Sequence, residues 1–333
     1  MGTLTDMKNF CTRRTYQRQG HNHVLMAIVV LWLWSGLAWA SHDLERERAW
    51  ATRLEAEIPA AQRIWLGAAA ERHLALYLAA TQTPIGAVIL LHDAGSHPDQ
   101  GAVIAPLRHQ LPALGWSSMA LQMPLPDTDA RPANYPALLT TAYARIAAAI
   151  EYLHTQKVSI IVISGYGLGA WMATNFFVTQ TKYHDDIAGL VSISIPSWPD
   201  LSPGMDTSRL LAQIKIPRLD VFAELDLPEV RRYAPDRLNS ARQTSTAELT
   251  KKDTPSFSVH SLHSQVLTRR KYGADGFRQR VIPGADHFYT GQNDALFKAI
   301  SGWLNAYWRS TAAEIKSPKP ASADTGSIPN ARQ

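Results

Sequence analysis

Cysteine is almost missing from this chain. The 333 residues contain one, Cys11, so a protein trimmed of its first forty residues has no thiol for a disulfide, a thiolate metal site or a cysteine nucleophile. Charge is also sparse, 18% of residues against 46% apolar, the balance of an ordinary globular protein and not of a disordered or coiled-coil one. The formal net charge is +5, yet Lys8, Arg13, Arg14 and Arg18 against Asp6 supply three of those charges. Beyond residue 40 the chain is nearly neutral and has no basic run of the kind that binds nucleic acid. Long apolar runs are absent but for one, Val24–Ala40.

That run comes after a basic stretch, ends in Ala38-Trp39-Ala40 and gives way at once to Ser41-His42-Asp43. Basic, apolar, then small-x-small is the order of a signal peptide, so residues 1–40 are expected to be removed after Ala40 and the protein to be periplasmic or secreted. The competing reading is an uncleaved membrane anchor, for which the run is short of the roughly 20 residues a span needs. Arg13-Arg14 fits a twin-arginine signal poorly, and no cysteine stands just past the cleavage point to carry a lipid. Membrane contact is expected only through the leader.

After the leader, Ser41–Ile58 is spaced as a helix with Leu44, Trp50, Leu54 and Ile58 on one stripe. Gln62–Leu66 and His73–Ala79 read as strands, and from Gly86 apolar strands alternate with amphipathic helices. The strands are Ala87–Leu91, Ser118–Gln122, Ser159–Ser164, Ile187–Ile195, Arg218–Phe222 and Phe277–Ile282. The helices are Ala102–Leu114, Ala137–His154, Leu168–Thr179 and Asn293–Trp308. Alternation of this kind implies an α/β fold, a mostly parallel central sheet with helices on both faces. One domain over 41–311 is expected. Residues 227–276 break the rhythm as an insertion or lid, helical around Pro228–Arg242 and a Ser/Thr-rich loop near 243–260. Residues 312–333 are expected to form a disordered tail.

One segment carries the chemistry. Ile160–Ile163, a buried strand, runs into a helix through Gly165-Tyr166-Gly167-Leu168-Gly169. This is the shape of the nucleophile elbow, G-x-S-x-G, with Gly167 where the serine belongs. Glycine tolerates the left-handed backbone of such a turn, so the turn survives without its hydroxyl. A carboxylate, Asp226, lies just past the strand Arg218–Phe222, with Glu224 competing for the same role. An imidazole, His287, lies past the last strand. Taken singly, Asp226 is equally a helix cap before Pro228, and His287 a surface histidine. Ser164, three residues early, faces the wrong way to replace the nucleophile. His92 and His97 lack the carboxylate spacing of a metal site. Gly165-x-Gly167-x-x-Ala170 also fits a dinucleotide fingerprint, but the next strand ends without the required acid, since Asp185 and Asp186 precede it. No metal or cofactor is expected.

The order elbow, acid, histidine is that of the α/β-hydrolases, and from about Gln62 to Trp308 the chain resembles that superfamily. More narrowly, Gly86–Asp99 (GAVILLHDAGSHPD), Pro106-Leu107-Arg108, Leu114-Gly115-Trp116 and Gly165–Ala170 resemble a family of exported, uncharacterised α/β-hydrolase-like proteins of Gram-negative bacteria. The resemblance implies an oxyanion hole of backbone amides from Asp93 or Ala94 and from Leu168, and it implies no substrate. Two functions are compatible with it. One is a non-catalytic protein, a pseudoenzyme with a degenerate triad, that binds a small-molecule ligand or a periplasmic partner. The other is an esterase-like hydrolase in which His287, oriented by Asp226, activates water. If only the hydroxyl is missing, Gly167→Ser restores weak esterase activity.

Overall fold

The structure, a computed structural model, describes residues 42–249 and 276–309. The leader, the tail and residues 250–275 of the expected insertion lie outside the described residues. Eight strands form one sheet: β1 (Arg63–Leu66), β2 (His73–Leu78), β3 (Gly86–Leu91), β4 (Trp116–Leu121), β5 (Ile161–Tyr166), β6 (Ile187–Ile193), β7 (Arg218–Leu225) and β8 (Phe277–Asp286). Their order is β1-β2-β4-β3-β5-β6-β7-β8. β2 pairs antiparallel with β1 and with β4, and all other pairs are parallel. The helices are α1 (Leu44–Glu57), α2 (Ile104–Gln110), α3 (Leu139–Thr155), α4 (Leu168–Thr179), α5 (Thr207–Gln213), the single turn α6 (Pro228–Arg231), α7 (Ala234–Leu249) and α8 (Asn293–Leu304).

Strand residues alternate between two cores, as the two-residue period of a strand requires. Ala87, Ile89, Leu91, Ile161 and Ile163 pack with Ile146 and Ile150 of α3 and Trp171 and Phe176 of α4. Val88, Leu90, Val162 and Val221 pack on the other face with Leu54 of α1, Ile104 and Leu107 of α2 and Ile300 and Leu304 of α8. Both faces of the sheet centre are therefore covered, which is why β3, β5 and β6 read as largely apolar runs.

Several expectations need correction. Leu44 is 45% exposed; the buried positions of α1 are Glu47, Ala51 and Leu54. Glu47 is buried because Arg145 of α3 reaches it at 2.7 Å and its other oxygen accepts the Leu125 amide at 2.8 Å, so charge pairing rather than an apolar stripe seats this part of α1. The expected helix 102–114 is shorter, since Pro112 converts its end to a 3-10 turn over Leu111–Leu114. Residues 243–249 are helical, continuing α7, and not part of a loop. The short α5, capped by Asp206 accepting the Ser208 and Arg209 amides, had no apolar period long enough to announce it. β7 and β8 run past their expected ends, to Leu225 and Asp286, so His287 comes directly after its strand.

Candidate active site

Six parallel strands, β4, β3, β5, β6, β7 and β8, end on one edge of the sheet, where α/β folds assemble ligand sites. The turn after β5 is the sharp one. Gly167 has φ +54° and ψ −119°, the left-handed backbone that residues with a Cβ avoid. A side-chain carbon on Gly165 would collide with the Ala170 backbone of α4, so the strand and the helix can turn this tightly only on glycine. The Gly167 amide donates to the Ile193 carbonyl of β6 at 2.9 Å.

The acid is Asp226. His287 Nδ1 lies 2.7 Å from its Oδ1. The Leu227 amide donates to the same oxygen at 2.9 Å. Oδ2 accepts from Ser194 Oγ at 2.5 Å and from the Ala223 amide at 3.0 Å. Burial pushes the carboxyl up, but the bonds from His287, Ser194, Ala223 and Leu227 outweigh it and hold Asp226 below the usual carboxylate range. Glu224 is not part of this arrangement; it accepts the Gly284 amide at 2.7 Å on the surface.

A second carboxylate meets the same imidazole. Asp93, in the loop after β3, places Oδ2 3.1 Å from His287 Nε2. Its Oδ1 accepts the Leu168 amide at 2.6 Å and the Ala94 amide at 2.7 Å. A Cβ built on Gly167 would fall on this carboxyl group. The space vacated by the missing serine side chain is therefore filled by Asp93, and the two amides expected to form an oxyanion hole are donating to it. The Leu168 amide opens α4, where a negative charge is favoured by the helix end.

With an acid oxygen facing each ring nitrogen, both nitrogens must donate, so His287 is an imidazolium. Burial favours the neutral ring, but the bonds to Asp226 and Asp93 prevail and raise its pKa to about 9. The ring is further held in place by its neighbours. Tyr166 Oη donates to the His287 carbonyl at 2.9 Å, and the two rings lie 5.2 Å apart. Tyr289 Oη and Ser194 Oγ are 2.9 Å apart behind Asp226. Ser194 and Tyr289 both adopt positive φ, 50° and 55°, a conformation that costs energy in residues with a Cβ and that recurs where a site dictates the backbone.

The sequence points to Asp93 only as a backbone donor and not for its side chain; the signal available was an acid two residues beyond a strand end, opposite a turn lacking its nucleophile. Ser194, Tyr166 and Tyr289 were missed as well, since nothing in Ser194-Ile195-Pro196 announces a left-handed serine. His92 is a core residue. It is buried, and its pKa is lowered to about 4 chiefly by burial. Its Nδ1 donates to the Asp93 carbonyl at 2.8 Å and its Nε2 accepts the Met123 amide at 2.9 Å. His97 stacks on Trp50 at 4.1 Å, and Ser164 is enclosed within the sheet. Among the described residues no group of three His, Cys, Asp or Glu side chains is placed to hold a metal ion, and no helix is long and apolar enough to cross a membrane. A recess of about 640 Å³ lined by Phe222, Arg231, Arg232 and Gln279 among others shares no residue with the Asp93–His287–Asp226 cluster.

Residues 40–144 match the profile of a family described as a protein of unknown function, DUF3530. Similar solved structures include an alpha-beta serine hydrolase homologue from Coxiella burnetii, 15% identical, covering 74% of this chain and 99% of its own, with a TM-score of 0.50. An esterase from Pyrococcus furiosus is 12% identical and covers 74% and 91%, with a TM-score of 0.52. A dienelactone hydrolase from Anabaena variabilis is 14% identical and covers 74% and 100%, with a TM-score of 0.49. No curated protein matches the chain. Sheet order and the likeness to the Coxiella and Pyrococcus structures make this an α/β-hydrolase fold, and the chain resembles an uncharacterised family of that kind.

Proposed function

We propose that this α/β-hydrolase-fold protein is exported and does not perform acyl transfer, serving instead to bind a small ligand or a partner at the carboxyl edge of its sheet. The observation that carries this reading is the Asp93 carboxylate standing where a serine side chain would project from residue 167 and occupying the Leu168 amide at 2.6 Å. Serine-type catalysis needs both a hydroxyl at that point and an empty oxyanion hole. Loss of a serine nucleophile costs about 10⁶-fold in turnover in a hydrolase that depends on one. Export is supported by the basic, apolar and small-x-small order of residues 1–40.

Water activation by His287 oriented through Asp226 is not favoured. A general base needs a free lone pair at working pH, and Nε2 is bonded to Asp93 and protonated up to about pH 9. The test is hydrolysis of short-chain nitrophenyl esters by the whole chain and by His287→Ala at neutral pH. No rate above the uncatalysed one in either is the expected result; a rate in the parent that the variant loses would overturn the reading. Export is checked by expression in a Gram-negative host, where the N-terminus of the periplasmic protein is expected at Ser41.

A further inference from the structure

The two faces of the β7–β8 pair are covered differently. Leu219, Val221 and Ala223 of β7 and Ile282 of β8 pack into the core shared with α8. Asp220 and Phe222 alternate with them and so point to the opposite face, beside their register partners Gln279 and Val281 of β8. On that face lie α6 and the start of α7, and a recess of about 640 Å³ remains between them and the strands. Small-molecule sites occupy about 300–1,000 Å³. The apolar wall of the recess includes Phe222, Pro228, Pro235 and Leu238, and Val281, opposite Phe222 in the register, is 47% exposed. One enclosed network ties these walls together. Arg237 and Asp220 are fully buried and paired at 2.8 Å. Arg237 Nη1 donates to the Val230 carbonyl of α6 at 3.0 Å, and the guanidinium lies over the Phe222 ring at 5.8 Å. Gln279 Nε2 donates to Asp220 Oδ2 and to the Ala234 carbonyl, both at 2.8 Å, joining β8 to α7. An enclosed ion pair is costly to desolvate and is weak evidence for stability. Here it fixes four elements around a hollow, which is the preorganisation that ligand binding rewards.

Arg231 and Arg232 stand exposed at this recess, and neither is ion-paired with an acid among the described residues. Glu229 and Asp236, on the same two helices, do not line it. We propose that the recess between α6, α7 and the β7–β8 face binds an organic monocarboxylate with an aromatic or alkyl body. A guanidinium fork meets a carboxylate in two parallel hydrogen bonds, while the body of the ligand takes the Phe222, Pro235 and Leu238 surfaces out of water. A phosphate monoester, with about two negative charges, costs more to bring from water into so apolar a recess. The chain's own residues 250–275 carry five lysines and arginines against two aspartates. Their charge has the same sign as the recess, so they do not complement it. This site goes beyond the binding proposed at the carboxyl edge of the sheet and does not depend on it.

The test is fluorescence titration of the whole chain with pyrenebutyrate and with pyrenebutanol, its uncharged counterpart. The parent is expected to bind the carboxylate about tenfold more tightly than the alcohol, the difference that a charged hydrogen bond makes. Arg231→Gln with Arg232→Gln is expected to remove that difference; both side chains are exposed, so the fold is kept. Pro235→Glu puts a negative charge into the wall at the first turn of α7, where a helix accepts one. It is expected to weaken the carboxylate about tenfold and to leave the alcohol nearly unchanged. Equal affinity for the two probes in the parent, binding of neither, or an advantage for the acid that survives both variants overturns the proposal. So does naphthyl phosphate binding more tightly than naphthoate. Asp93→Ala is expected to leave the affinity for pyrenebutyrate as it is. A loss in that variant would locate the acid at the Asp93–His287–Asp226 cluster, overturning this site while supporting the binding read at the sheet edge.

Discussion

Asp226 and Asp93 bind the same imidazole from opposite sides, yet they are built differently. Asp226 is enclosed and accepts four hydrogen bonds, from a histidine, a serine and two backbone amides. Asp93 is partly exposed and accepts three, two of them backbone amides at a helix start and its adjoining loop. The same residue type is thus an enclosed orienting group in one place and a partly exposed one in the other. Burial and the number of donors make the difference.

The comparison is tested hardest by deleting each acid. Asp226→Ala leaves a buried imidazole and Ser194 without their partner and is expected to cost about 3 kcal/mol in urea unfolding at neutral pH. Asp93→Ala is expected to cost about 1 kcal/mol, because solvent can reach the groups it leaves behind. Equal losses would mean that the two carboxylates are not distinguished in this way.

The pH dependence sharpens the same contrast. The folded-state pKa of His287, about 9, lies above the value of about 6.5 for an unfolded histidine. Its contribution to stability is therefore full below the unfolded value and lost as pH rises through about 9. Asp226 acts in the opposite sense, contributing above the unfolded carboxyl value and losing that contribution as acid protonates it below its own depressed one. Removing Asp93 is expected to move the alkaline loss to lower pH, which imidazole NMR titration reads directly.

A smaller effect is expected from restoring the serine. Gly167→Ser alone is expected to remain inactive on nitrophenyl esters, because the new side chain meets Asp93, which replaces the expectation drawn from the sequence. Gly167→Ser with Asp93→Ala is expected to exceed either single variant by about tenfold; an active single variant would show that Asp93 does not block the hole. Smallest is Ser194→Ala, which removes one of the four donors to Asp226 and is expected to cost about 1 kcal/mol in thermal unfolding.

The central strands were legible because β3, β5 and β6 are largely apolar runs bounded by turn residues, and the elbow because only glycine permits its close approach and its backbone angle. Glu224 and Asp226 could not be told apart, since the choice depends on where β7 ends and bulges against β8. Leu44 misled because α1 is seated through Glu47 and Arg145, a pairing between residues 98 apart that no local period encodes. Asp93 was passed over for a related reason. Its partners, Leu168 and His287, are 75 and 194 residues away, and only the assembled sheet edge brings them together.

Among the described strands β8 stands at one end of the sheet and pairs with β7 alone. Arg280, exposed on this strand, is a charge of the kind that discourages further strands from adding to such an edge. Strands at a margin open more readily than central ones, and His287 is the residue immediately beyond this one. Fraying of β8 would carry the ring away from both acids at once, so hydrogen exchange at residues 277–286 should report the integrity of the site sooner than exchange in β3 or β5. The imidazole that joins the two acids thus hangs from an edge strand and not from the middle of the sheet.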